Sequence, residues 1–161
     1  IQPDVVSIRS ADWGTGETAP IPLSQSDIKS ALKTLMNQRY QDAKKASENG
    51  AFEHAEILLK SICSDFRTLV ERSIENDLLC GVVQRFQRPV HTLKLKDLAK
   101  LKDVDCNLLD SLMTKYSGFE HSQPTESPVE LPKPDDLLAD MTLLKAWREE
   151  YAKRPASAVA G

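Results

Sequence analysis

The sequence predicts an all-α protein, an irregular bundle of about five helices with a short strand-like segment at its N-terminus. Three observations carry this expectation. From Ser24 onward the apolar residues recur at i, i+3, i+4 and i+7, the spacing of one helix face. The periodic runs are punctuated by helix-stopping signals, Asn49-Gly50, Pro89 and Gly118. The periodicity is loose, and a proline-rich stretch precedes the last run, so a bundle is expected rather than a coiled coil.

Residues 1–23 read differently from the rest. Asp4 to Ser10 is a β-branched stretch with partial alternation, consistent with one strand, and Trp13-Gly14-Thr15-Gly16 breaks it. A single strand cannot satisfy its own ladder, so it is expected to need a sheet outside these residues. With Ile1 in place of an initiating Met, this points to the end of an upstream domain or a linker, followed by a helical C-terminal domain over 24–154 and a disordered tail over 155–161. The first helix is expected to start at Ser24 or Ser26, with Asp27 in its first turn and Ile28, Ala31, Leu32, Leu35 and Met36 on its apolar face. That pattern fades over Gln41–Asn49. A longer helix follows from about Phe52, with a stripe of Ala55, Leu58, Leu59, Ile62, Phe66, Leu69 and Val70, continued by Ile74, Leu78 and Leu79. Gly81 is expected to be tolerated within the run or to bend it, and Pro89 to stop it. Thr92 to Lys102 reads as a short lysine-bearing amphipathic helix. Val104 to Tyr116 reads as the fourth helix, capped by Asp103 or Asp105. Four prolines fall between Ser122 and Pro134, and Asp135 or Asp136 opens the last helix, with Leu137, Leu138, Met141, Leu144 and Trp147 on one face. Leu59, Ile62, Phe66 and Leu69 are the expected centre of the core, facing Leu109, Leu112, Leu144 and Trp147.

Composition narrows the function classes. Hydrophobic residues make up 40% and charged residues 28% of the 161 residues, which fits one domain with a modest core. A formal charge of -3 argues against a generally basic nucleic-acid-binding domain, though not against a local basic groove. Cys63, Cys80 and Cys106 are odd in number and form no CxxC pair, so neither a zinc site nor a disulfide framework is expected; Cys63 and Cys80 read as small buried hydrophobes. No run approaches the roughly 20 apolar residues of a membrane span, and no signal segment opens the chain, which makes the cytoplasm the default location. Phosphate-binding loops, dinucleotide fingerprints, zincin helices, nucleophile elbows and EF-hand loops are all missing from the sequence.

What remains is a constellation of Arg67, Glu71 and His121. Arg67 and Glu71 are four apart and project from one face of the second long helix, at the border of its apolar stripe. His121 follows the fourth helix at the mouth of the proline-rich stretch. An imidazole, a guanidinium and a carboxylate suffice for metal-free RNA cleavage. The histidine moves a proton to or from the 2′-hydroxyl or the leaving oxygen, the arginine stabilises the charged phosphorane, and the glutamate orients the arginine or shares the proton work. The plainer reading is an i, i+4 ion pair worth about 0.3–0.5 kcal/mol and a loop histidine. A second cluster places seven cationic or potentially cationic residues in the eighteen from Arg85 to Lys102: Arg85, Arg88, His91, Lys94, Lys96, Lys100 and Lys102. It reads either as a solvated face or as a patch for phosphates or an acidic partner, with Arg85, Arg88, Lys94 and Lys96 as candidate nucleic-acid contacts. His54 reads as a surface or bundle histidine.

The run Phe66-Arg67-Thr68-Leu69-Val70-Glu71-Arg72, with Tyr116-Ser117-Gly118-Phe119-Glu120-His121-Ser122 downstream, resembles HEPN-type helical domains. More closely it is similar to the C-terminal helical region of bacterial AAA/ABC-type ATPases of the anticodon-nuclease and SMC/RecF-like group. The likeness takes in Val5–Ser10, Glu75-x-x-Leu78-Leu79, Val83-x-Arg85-Phe86 and Pro134-Asp135-Asp136-Leu137 through Ala146-Trp147, and so spans most of the chain. It implies a helical effector domain of a phage-defence ATPase, with Arg67, Glu71 and His121 at the positions of a metal-independent ribonuclease site. It implies ATP and Mg²⁺ only for an ATPase core outside these residues, and no cofactor for the helical part. The implied partners are that ATPase core, a second copy in a homodimer, and RNA or a partner nuclease, with no membrane. The sequence departs from the pattern in a longer Arg-to-His separation, and in Ser117-Gly118-Phe119-Glu120 where HEPN ribonucleases carry an Arg or Asn shortly before the His. The rival expectation is a non-catalytic helical module for dimerisation or for docking a partner on the ATPase core. A working site is expected to leave Arg67 and Glu71 open in a cleft beside His121, and a scaffold to bury them in pairing.

Overall fold

A computed structural model describes residues 7–11, 14–19, 23, 25–85, 87–119 and 130–156. The helices form an all-α bundle, preceded by a two-stranded hairpin. Strand β1 (Ser7–Ala11) pairs antiparallel with β2 (Gly14–Ala19), in register from Ser7 opposite Ala19 to Arg9 opposite Glu17, with an irregularity between Arg9 and Ser10. The residues read as a break therefore supply a partner strand within the chain, and β1 does not depend on an outside sheet for that edge of its ladder.

Helix α1 (Ile28–Thr34) runs through a π-helical turn at Leu35–Arg39 into α2 (Tyr40–Glu48). Its cap is Asp27, whose carboxylate accepts the Ser30 amide at 2.9 Å; the Ser26 hydroxyl instead donates to the Leu23 carbonyl at 3.0 Å. Ser24 lies outside the described residues. The π turn explains why the apolar period fades. It widens the step to i+5, so the buried series Ile28, Ala31, Leu32, Leu35 resumes at Tyr40 and Ala43. It also turns Arg39 onto the next helix, where the guanidinium meets Asp65 and donates to Ser61 Oγ at 2.5 Å.

Helix α3 (Phe52–Ser73) is the centre of the bundle, packed against α1, α2, α4 and α5, and it too continues into a π turn, Ile74–Leu78. The helix stops at Leu78, well before Pro89. Cys80 (φ 51°) and Gly81 (φ 64°) are both left-handed, and the Gly81 amide returns to the Glu75 carbonyl at 2.8 Å, so the turn at Gly81 ends the run, where the sequence suggested a tolerated or bent helix. Cys63 is buried as expected, whereas Cys80 is half-buried in this turn. Thr92–Lys100 is a 3₁₀ helix with no buried residue, not a packed amphipathic helix. Its neighbours to the C-terminal side, half-buried Leu101 and the helix α4 (Asp103–Tyr116), rejoin the core. Neither Asp103 nor Asp105 is the cap of α4, which is Lys102; Asp103 is the first residue of the helix and Asp105 the third, accepting the Lys102 amide at 2.9 Å. A 3₁₀ turn, Ser117–Phe119, extends α4 and lies against α3. Helix α5 (Pro134–Lys153) starts one residue earlier than read, with Pro134 in its first turn.

The core is one cluster in which Ile62, Phe66 and Leu69 of α3 meet Leu109, Leu112 and Tyr116 of α4 and Met141, Leu144 and Trp147 of α5. Leu59, expected at its centre, is half-buried at its margin. Two polar ties lock α5 in place. Arg148 donates to Asp77 at 2.5 and 3.3 Å, and the Tyr151 hydroxyl caps the Leu78 carbonyl at 3.1 Å. At the same end of α5, Asp105 of α4, only 1% exposed, takes the Trp147 indole N–H at 2.9 Å and both arms of the Arg154 guanidinium at 2.6 and 3.1 Å. Burial pushes this carboxyl up, but the donors outweigh it and its pKa is lowered.

Candidate functional site

Arg67 and Glu71 stand one turn apart on α3, because four residues of α-helix bring side chains to the same face. Arg67 Nη2 is 2.8 Å from Glu71 Oε1. Both side chains are largely shielded, 15% and 17% exposed. The other oxygen of Glu71 is 2.8 Å from Nη1 of Arg85. Arg85 also pairs through Nε with Glu75, and its backbone amide donates to Glu75 Oε2 at 3.2 Å. The result is an alternating row, Arg67–Glu71–Arg85–Glu75, with its acidic members on successive turns of α3 and its π extension. The left-handed turn at Cys80 and Gly81 reverses the chain and returns Arg85 alongside. Arg85 is the most exposed member of the row, with 51% of its side chain exposed. Burial lowers its pKa, but Glu71 and Glu75 outweigh burial and the net shift is upward.

The fourth helix reaches this region with its far end. Tyr116, the last residue of α4, meets Phe66 edge-on, with ring centroids 4.9 Å apart. The following Phe119 is buried in the same cluster, 6.3 Å from the Tyr116 ring. The C-terminal end of α4 therefore meets the middle of α3, beside Arg67 in sequence. His121 and Glu120 lie outside the described residues, as does Phe86.

The structure divides the residues read as nucleic-acid contacts. Arg85 belongs to the carboxylate row. Arg88, Lys94 and Lys96 are exposed and make no ion pair with a described residue; Lys94 lies over Gly81, and Leu93 beside it is 97% exposed. Lys100, of the wider cationic cluster, stacks over the Tyr151 ring, 4.5 Å from its centroid. His54 and His91 are exposed. What sequence reasoning missed is Glu75 and the Arg85 link. The i+4, i+8 spacing of Glu71 and Glu75 from Arg67 was the available signal, but the return of Arg85 needed the turn. Among the described residues no group of three His, Cys, Asp or Glu is placed to hold a metal ion, and no helix is long and apolar enough to cross a membrane.

Set against known proteins, the chain matches no family model, no curated protein and no solved structure.

Proposed function

We propose that this chain is a HEPN-like helical effector module from the C-terminal region of a bacterial defence-type ATPase, acting as a metal-independent endoribonuclease. In this reading Arg67 and Glu71 are the charge-stabilising half of the site and His121 the acid–base half. The observation that supports it is the meeting of the α4 end with the middle of α3, which the chemistry requires before His121 can share a phosphate with Arg67. Arg67 stabilises charge building on the phosphorane, Glu71 holds the guanidinium in orientation, and His121 transfers the proton.

The second reading, a non-catalytic module for dimerisation or for docking a partner on the ATPase core, has its own observation. Arg67 and Glu71 are paired and shielded as a scaffold pair would be, and Arg85 closes the far side of Glu71. One experiment separates the two. Cleavage of end-labelled single-stranded RNA and of transfer RNA is followed for the wild type, His121→Ala and Arg67→Ala, alongside a melting curve of each preparation. The nuclease reading expects cleavage to fall by roughly 10²–10⁴-fold on loss of the histidine, at an unchanged melting temperature. Undiminished cleavage in folded His121→Ala, or no cleavage by the wild type, leaves the scaffold.

A further inference from the structure

We infer that the row Arg67–Glu71–Arg85–Glu75 is a masked phosphate site, in which Arg85 takes a backbone phosphate of single-stranded RNA and Glu75 competes for the same guanidinium. This rests on the ribonuclease reading only in naming RNA as the ligand. Two guanidiniums and two carboxylates sum to no charge, so the resting row offers an incoming polyanion little net attraction. Its members are unequal, however. Arg67 and Glu71 are shielded to similar degrees and face each other, while Arg85 is half exposed, with Glu71 on its Nη1 and Glu75 on its Nε. A phosphate arriving from solvent reaches Arg85 first and can replace Glu75 by forming the paired N–H···O contacts that a planar guanidinium makes with phosphate oxygens. The row is a built feature and not a chance surface pair. The Arg85 backbone amide is fixed on Glu75, and the turn that brings it there spends two consecutive left-handed residues, one of them a cysteine. Arg88, Lys94 and Lys96, which have no carboxylate partner among the described residues, are exposed and follow Arg85 in the chain.

Masking makes a prediction of opposite sign from a structural role. Removing Glu75 should tighten RNA binding, whereas a purely structural ion pair gives no gain when either partner is lost. The measurement is fluorescence anisotropy of a labelled single-stranded RNA of roughly 20 nucleotides, in a His121→Ala background so that no strand is cut, at about 50 and about 200 mM salt. Glu75→Gln is expected to tighten binding by about 3–10-fold. Arg85→Ala should weaken it by about tenfold and lower the salt slope by about 0.7, the contribution of one phosphate contact. Arg85→Lys should keep the fold and lose part of the affinity, and Glu75→Gln should have no effect once Arg85 is gone. Glu149→Gln, which removes an exposed carboxylate of α5, controls for net charge. Equal tightening by Glu149→Gln, no tightening by Glu75→Gln, unchanged binding in Arg85→Ala and Arg85→Lys, or no RNA binding by any variant would each overturn the inference. A wild type that cuts nothing, with the Glu75 and Arg85 effects intact, removes the ribonuclease reading and leaves the phosphate site. Cleavage that depends on His121 without those effects does the reverse.

Discussion

Replacing Asp105 by Asn keeps the shape of the residue and removes its charge, at a position where each carboxylate oxygen accepts two donors. Oδ1 takes the Trp147 indole at 2.9 Å and Arg154 Nη2 at 3.1 Å. Oδ2 takes the Lys102 amide at 2.9 Å and Arg154 Nη1 at 2.6 Å. Whichever oxygen becomes an NH₂ group, one arginine N–H and one neutral N–H lose their acceptor in a buried place. A hydrogen bond to a charged group is worth about 1.5–3 kcal/mol and an orphaned buried donor about 1–3 kcal/mol. Together these give roughly 3–5 kcal/mol, the range for breaking a buried pair from one side. At about 2–4 °C per kcal/mol for a chain of this size, the melting temperature should drop by roughly 10 °C. Urea denaturation followed by far-ultraviolet circular dichroism measures the loss, with an unchanged m-value as the sign that the same surface unfolds. The effect should depend on pH in a defined direction. The folded-state pKa of Asp105 is lowered, so its stabilisation is present above the unfolded value near 4 and is lost as pH falls through the folded value. The gap between wild type and Asp105→Asn should therefore narrow in acid. A loss below about 1 kcal/mol at neutral pH, or a gap that widens in acid, would refute the assignment of Asp105 as the tie between α4 and α5.

Other outcomes follow from the same structure. Phe66→Ala removes a fully buried ring that meets Tyr116 edge-on, and should cost about 3–5 kcal/mol in the same denaturation assay; a shift of a degree or two in melting would place Phe66 outside the core. Burial pushes the Cys63 thiol up to about 12, so a thiol-reactive dye at mildly alkaline pH should label exposed Cys106 in the native protein and Cys63 only after unfolding, as read by peptide mass. Gly50 closes α2 at φ 79° with open space around it, so Gly50→Ala should cost about 1–2 kcal/mol through backbone strain alone; a neutral result by thermal melting would show that the turn relaxes.

Much of the architecture was legible in the sequence because it is local. The apolar period of α3 placed Ile62, Phe66 and Leu69 in the core, and Asn49-Gly50 marked the break between α2 and α3. A helix face depends on residues within a few turns of one another, and sequence spacing reports that directly. The π turn at Leu35–Arg39 showed in the sequence only as a fading period and the one at Ile74–Leu78 not at all, since Ile74 to Leu78 keeps the i+4 spacing of a regular helix. Arg67 and Glu71 were read as neighbours on the same local ground. Their shielding, the capture of Glu71 by Arg85, the burial of Asp105 under Arg154 and the edge-on contact of Phe66 with Tyr116 were decided by tertiary structure alone. The three contacts join residues fourteen to fifty positions apart. Which of the chain's many charges becomes a partner depends on how turns and crossings fold it back, and on the desolvation that makes one pairing worth more than the rest.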